Sequence, residues 1–158
     1  MNLQTIHDAA VAASLEAGAA IAAFYKDSYT VKDKGEDNPL TDADLASDKI
    51  LEERLRAADP EAGWLSEETV DDKSRLTQAR SWIVDPLDGT KEFTRGIPEF
   101  VVSVAYCVGP DAVVGVLYNP ITKELFSGIV GVGAWFNGQP CRVTDHAELQ
   151  GARVVCSR

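Results

Sequence analysis

Trp82-Ile83-Val84-Asp85-Pro86-Leu87-Asp88-Gly89-Thr90 decides how the rest of the chain is read. An apolar strand, Trp82 to Val84, stops at a carboxylate, Asp85, which places that carboxylate at a sheet edge. Pro86 then fixes the chain direction, and Gly89 permits a tight turn at Asp88-Gly89. Two aspartates three residues apart on such a turn can point at one position. Downstream, apolar residues alternate with period two over Phe100 to Val108, Asp111 to Tyr118, Glu124 to Ile129 and Ala134 to Phe136. Asn119-Pro120 and Asn137-Gly138 are turn signals between them. Upstream, Gly63 to Leu65 is a further short strand after Asp59-Pro60. Leu3, Ile6, Ala10, Ala13, Ala17, Ala20, Ile21 and Phe24 recur at three and four and predict a helix over Leu3 to Phe24. Tyr29-Thr30-Val31 reads as a short strand and Asp33 to Asn38 as a mobile loop. Thr41 is the expected N-cap of a second helix running to about Ala58, with Asp42 and Asp44 in its first turn and an apolar stripe of Leu45, Ile50, Leu51 and Leu55. Two helices followed by successive strands predict an α+β fold: two N-terminal helices packed on one face of an antiparallel sheet, in one domain over 1–158.

Composition narrows the function. With 158 residues, of which 45% are hydrophobic, the chain can bury roughly 68–70% of its unfolded surface without a disulfide or metal staple. Cys107, Cys141 and Cys156 are odd in number and lack a C-x-x-C spacing, which argues against a disulfide framework or a zinc site and fits a reducing cytoplasm. No run approaches about 18 consecutive apolar residues, and the N-terminal stretch lacks the basic region of a signal peptide, so neither a membrane partner nor secretion is expected. A charge of −10 and a pI near 4.6 repel nucleic-acid phosphates, which excludes a nucleic-acid polymer as the expected partner.

Most of the acids lie between Asp27 and Glu92, and three groups of them sit at element boundaries: Asp42 and Asp44, Glu67 and Glu68, Asp85 and Asp88. Hard carboxylate oxygens are what Mg²⁺ requires, usually a few of them with water and substrate phosphate. Each group also has a plainer reading. Asp-Gly after proline is an ordinary turn, adjacent glutamates usually face solvent, and Asp44 serves as a helix N-terminal acid. Three such groups, each at a boundary, favour a common site.

The segments Pro39-Leu40-Thr41-Asp42-Ala43-Asp44-Leu45-Ala46-Ser47-Asp48-Lys49-Ile50-Leu51, Trp64-Leu65-Ser66-Glu67-Glu68 and Trp82 to Phe93 resemble the successive metal-site motifs of the magnesium-dependent, lithium-sensitive phosphatases related to inositol monophosphatase. Lys91-Glu92-Phe93 resembles the bisphosphate nucleotidase branch, which acts on adenosine 3′,5′-bisphosphate. The resemblance implies the N-terminal part of a layered α+β sandwich. It implies two or more Mg²⁺ ions held by Glu67, Asp85, the carbonyl of Leu87 and Asp88, with lithium as an inhibitor. Asp44 and Thr90 are implied as the pair that helps activate water, beside the catalytic Glu67, and substrate phosphate would meet Glu67, Leu87, Asp88, Gly89 and Thr90. Members of the family carry a second domain with a further metal-binding aspartate in a Trp-Asp motif; Asp111 and Asp145 sit in no such motif.

The expected activity is phosphomonoester hydrolysis of 3′-phosphoadenosine 5′-phosphate or a related nucleotide bisphosphate. The alternatives are an inositol monophosphatase or sugar bisphosphatase, and a truncated, non-catalytic metal-binding or interaction chain. The protein partners left open are a second copy, in a homodimer, and a missing C-terminal portion. A helix starting at Gly89-Thr90 could also hold phosphate at its N-terminus. His7 and His146 receive no role, Trp64, Trp82 and Trp135 are expected in the core or on the sheet face, and Lys32 and Lys34 in solvent.

Overall fold

Helix α1, Leu3–Phe24, has the bounds its three-and-four period predicts. The Asn2 side chain caps it by accepting from the Gln4 amide at 2.9 Å. In the computed structural model, which describes residues 2–27, 29–33 and 39–154, Ile6, Ala10, Ala13, Ser14, Ala17, Gly18 and Ile21 form its buried stripe. At 22 residues and a mean hydropathy of 1.2, α1 is long and apolar enough to cross a membrane. Counting only consecutive apolar residues misses this, because scattered polar positions interrupt every run. Here its small-residue stripe packs against the sheet.

β1 (Val31–Asp33) and β2 (Pro39–Thr41) pair antiparallel as a separate ribbon. The strand expected at Tyr29 to Val31 therefore shares only Val31 with β1; Tyr29 instead packs at a tilt against Phe93 with ring centroids 5.0 Å apart. Lys34 to Asn38 of the expected loop, and the side chain of Lys32, lie outside the described residues.

Helix α2 (Asp42–Ala58) begins with a capping box. The Thr41 hydroxyl accepts from the Ala43 amide at 3.2 Å, and Asp44 reaches back to accept from the Thr41 amide at 2.8 Å. Its inward face differs from the expected stripe. Leu51 and Leu55 are buried, but Leu45 is 41% exposed, and Ala43, Asp44, Ser47 and Asp48 occupy the inward positions of the first two turns. Those turns face the polar ends of the neighbouring strands, where hydrogen-bonding side chains are needed.

The main sheet has seven strands in the order β3 (Gly63–Ser66), β4 (Arg80–Asp88), β5 (Val101–Val108), β6 (Asp111–Asn119), β7 (Glu124–Ile129), β8 (Gly133–Phe136) and β9 (Gln139–Cys141). From β4 to β9 it is the predicted antiparallel meander. β3 and β4, however, are parallel, so the sheet is mixed. The connection between them, which carries a 3₁₀ turn at Ser74–Thr77, returns the chain to the end at which β3 began.

Alternation sets the two faces. Trp82, Val84, Val102, Val104, Tyr106, Val116 and Tyr118 are buried beneath the helices, α1 lying over β5 to β7 and α2 over β4. Trp82 and Tyr106 pack at a tilt with ring centroids 4.6 Å apart at the centre of this core. On the opposite face Ile83, Leu117 and Phe126 remain 40 to 47% exposed. Trp64 and Trp82 are core residues as expected, and Trp135 is half-buried against His7. Where α2 ends, Asp59 is buried and takes hydrogen bonds from Arg80 at 2.9 Å and from the Tyr106 hydroxyl at 2.5 Å.

Candidate functional site

The site is built on an irregularity in β4. Asp85 pairs with Ser103 and Asp88 with Val101, but the register shifts between them, leaving Pro86 and Leu87 out of the ladder. Proline cannot donate to a ladder, and a bulge re-aims the side chains on either side of it. The expected end of the strand at Asp85 is thus a bulge inside a longer strand that runs to Asp88. The exposed carbonyls are taken up locally: the Ser47 hydroxyl donates to Pro86 O at 2.8 Å, and the Thr90 hydroxyl lies 2.9 Å from Leu87 O. Gly89 follows at φ +98°, where a Cβ would come within 2.8 Å of the Glu99 carbonyl, so the turn needs glycine twice over, for conformation and for space.

Helix α3 (Thr90–Thr94) does begin where expected, but it is a single turn of five residues. The dipole of so short a helix is small, so phosphate affinity cannot rest on it. Phe93, the last residue of the Lys91-Glu92-Phe93 segment, is buried among Tyr25, Tyr29 and Phe100. It anchors α3 to the core and leaves Lys91 and Glu92 to line the cavity.

Asp44 and Thr90 are brought together as the sequence resemblance implies. Thr90 Oγ1 lies 3.0 Å from Asp44 Oδ1, and the other oxygen, Oδ2, accepts from Thr41 Oγ1 at 2.5 Å. Thr90 has one hydroxyl proton and two acceptors within reach, Asp44 and Leu87 O, so it can switch between them. Burial pushes the Asp44 carboxyl above the usual aspartate range, against the pull of its hydrogen bonds from Thr41 and Thr90.

The other carboxylates meet at the mouth of a cavity of about 210 Å³ lined by Glu67, Asp85, Leu87, Asp88, Thr90 and Lys91, among others. Asp85 is pushed up to about 7, first by burial, then by the Glu67 carboxylate, with which it shares a hydrogen bond, and by the charge of Asp88. The Leu87 amide, donating to Asp85 at 3.2 Å, opposes this only in part. Glu67 itself is placed by its amide, which donates to Val84 O at 3.2 Å. Next to it, Ser66 Oγ donates to Asp48 at 2.5 Å and accepts from the Glu68 amide at 3.2 Å.

This donor set fits a hard divalent cation. Three carboxylates and a carbonyl, all oxygen, line a site in which burial and then the neighbouring acids raise the proton affinity of one carboxyl, and a cation would relieve the repulsion between them. Among the described residues no three His, Cys, Asp or Glu side chains already close around one point. Glu67 and Asp88 are exposed at the cavity mouth. A larger hollow of about 630 Å³ lies at the opposite ends of β3 and β4, beside Arg56, Trp64 and Arg80, and none of the expected metal ligands lines it.

Of the residues anticipated from sequence, Asp44, Glu67, Asp85, Leu87, Asp88, Gly89 and Thr90 all lie around this cavity or in hydrogen-bond contact with it. Ser47, Asp48 and Ser66 were not anticipated. Helical spacing could have found the first two, since they stand three and four residues after Asp44 on the same face.

The sequence profile described as "Inositol monophosphatase family" matches residues 2–157. Among curated proteins, inositol monophosphatase 3 of Solanum lycopersicum is 40% identical over 157 residues, covering 98% of this chain and 58% of the relative. Among solved structures, extragenic suppressor protein SuhB of Bartonella henselae superposes with a TM-score of 0.80 at 37% identity, covering 88% of this chain and 54% of that one. CysQ of Bacteroides thetaiotaomicron, a bacterial member of the inositol monophosphatase family, gives 0.73 at 36% identity, covering 93% and 55%. The chain spans about half the length of the relatives it matches.

Proposed function

The chain belongs to the inositol monophosphatase family, and from that premise we propose that it carries the metal-binding half of a Mg²⁺-dependent phosphomonoesterase acting on a small phosphorylated substrate. The observation behind the proposal is the meeting of Glu67, Asp85 and Asp88 at one cavity with the Asp44–Thr90 pair beside it. Bound Mg²⁺ ions would lower the pKa of a water and neutralise phosphoryl oxygens. Glu67, Asp85, Asp88 and the Leu87 carbonyl would hold them. Thr90 would accept a hydrogen bond from the attacking water while its own proton rests on Asp44, whose buried oxygen is already fixed by Thr41. As Thr90 takes the proton of the water it would pass its own hydroxyl proton to Asp44 Oδ1, so that the carboxylate is neutralised while Oδ2 keeps its cap.

For the substrate we favour adenosine 3′,5′-bisphosphate or a related nucleotide bisphosphate. Lys91 and Glu92 line the cavity directly after the phosphate turn, where they can meet the part of the substrate beyond the scissile phosphate. Inositol monophosphate is the second reading, favoured by the 36 to 40% identity to inositol monophosphatases of Solanum lycopersicum. Lithium inhibition and a cytoplasmic location accompany both. The test is kcat/KM for each substrate on the full-length protein with Mg²⁺. Mg²⁺-dependent phosphate release is expected, with Thr90→Ala slowing turnover by roughly 10²-fold or more while metal affinity stays near wild type. Absence of Mg²⁺-dependent release would sink the proposal, and a clear preference for inositol monophosphate would replace the substrate alone.

A further inference from the structure

Ser47 and Asp48 are both buried, at 0% and 7% exposure, on the inward face of α2. With Asp44 they form a helical triplet, and each member reaches a different segment of the site. Asp44 is bonded to Thr90 at the start of α3, Ser47 donates to Pro86 O in the bulge of β4, and Asp48 accepts from Ser66 Oγ at the end of β3. Pro86 directly follows Asp85, and Ser66 directly precedes Glu67. β3 and β4 are last paired at Ser66 and Val84, and past that pair the Glu67 amide donates to Val84 O at 3.2 Å, while Asp85 is still paired with Ser103 of β5. Like charges at that point repel each other, and the backbones that bear them drift apart unless they are held.

We infer that Ser47 and Asp48 are positioning residues, through which α2 fixes the separation of the Glu67 and Asp85 carboxylates by gripping the neighbouring residues Pro86 and Ser66. The inference rests on the reading of Glu67 and Asp85 as metal ligands. A hydrogen bond to a buried carboxylate is among the stronger and more directional ones. Polar groups buried at this depth would pack better as apolar residues if they served stability alone. Outer residues that orient ligands typically change metal affinity when altered.

The test is a Mg²⁺ titration by calorimetry on the protein, alongside melting temperature without metal. Ser66→Ala and Ser47→Ala are each expected to weaken Mg²⁺ binding by about tenfold while remaining folded at 25 °C. Ser66→Thr, which keeps the hydroxyl, returns affinity toward wild type. Leu55→Val lowers the melting temperature and leaves affinity unchanged, which separates positioning from stability. If Ser66→Ala does not fold, Asp48→Asn is measured instead; it keeps an acceptor but loses the charge, and weaker Mg²⁺ binding is again expected. Wild-type affinity in Ser66→Ala and Ser47→Ala, with Glu67→Gln weakened, overturns the inference and spares the ligand reading. Wild-type affinity in Glu67→Gln overturns the ligand reading, and the inference with it.

Discussion

Asp85→Asn should move stability and metal binding in opposite directions. An aspartate ordinarily titrates near 3.8, and in the fold Asp85 is pushed up to about 7. A raised carboxyl means that the folded protein holds its proton more tightly than the unfolded chain. Its contribution is therefore fully present below about 3.8 and is lost as pH rises through about 7. Without metal, ionisation costs the fold up to about 4 kcal/mol. Asp85 is only half-buried, so solvent screening reduces this to about 1–2 kcal/mol. Asparagine removes the charge and keeps the bonds: its carbonyl still accepts from the Leu87 amide, and its N–H₂ donates to Glu67 in place of the shared proton. At pH 8 in chelator the variant should melt roughly 3–6 °C above wild type, and the gap should close by pH 4. Added Mg²⁺ should raise the wild-type melting temperature and leave that of the variant almost unmoved. Scanning calorimetry across pH, with and without Mg²⁺, reads both effects. A variant that melts below wild type at pH 8, or that gains as much from Mg²⁺, would refute the assignment of Asp85 as a crowded ligand.

Gly18→Ala tests the packing of α1 on the sheet. The added Cβ would lie 2.5 Å from Tyr118 Cε1 and 3.1 Å from Pro120 Cβ, an overpacking cost of about 1–3 kcal/mol that exceeds the roughly 1 kcal/mol of helix propensity gained; a melting temperature at or above wild type would contradict it. Asp59→Asn tests the junction under α2. Burial would raise the Asp59 carboxyl, but the hydrogen bonds from Arg80 and Tyr106 outweigh it and hold the group below the aspartate range. Its stabilisation is thus present above about pH 4 and lost as pH falls through the lowered value, so the variant should cost about 2 kcal/mol at pH 7 and little in strong acid. Urea unfolding that shows the same cost at both pH values would count against the network.

Local patterns in the sequence carry much of this architecture. The spacing from Leu3 to Phe24, the cap at Thr41 and the alternation from Glu124 to Ile129 each express one element's own geometry, and each element has those bounds. What depends on a second segment is harder to read. The direction of β3 against β4 leaves no trace in the alternation of either strand, because parallel and antiparallel pairing use the same period. β9 is three residues with Pro140 at its centre and resembles a turn until an edge is available to receive it. The apolar stripe of α2 was misplaced at Leu45 for a more informative reason. Near the site the inward face is chosen for hydrogen bonding to bare carbonyls and hydroxyls, so hydrophobic period and burial part company at Asp44, Ser47 and Asp48. The acids at Glu67, Asp85 and Asp88 stood out by residue type, whereas the bulge that turns them toward one cavity is visible only once β5 is alongside.

The parallel pairing of β3 and β4 also separates chemistry from chain length. Because both strands run out at the same edge, the segment from Thr69 to Ala79 must travel back along the outside of the domain before β4 can begin. Val70 and Leu76 on that return path are 96% and 66% exposed, while the stretch around Arg75, which lies against Gly63, and Ala79, whose carbonyl accepts from the Gly109 amide at 2.9 Å, tie it to the body of the protein. Residues could be gained or lost around Val70 over evolutionary time without shifting either acidic turn. The same stretch is a natural place to graft a reporter whose presence the candidate site would not feel.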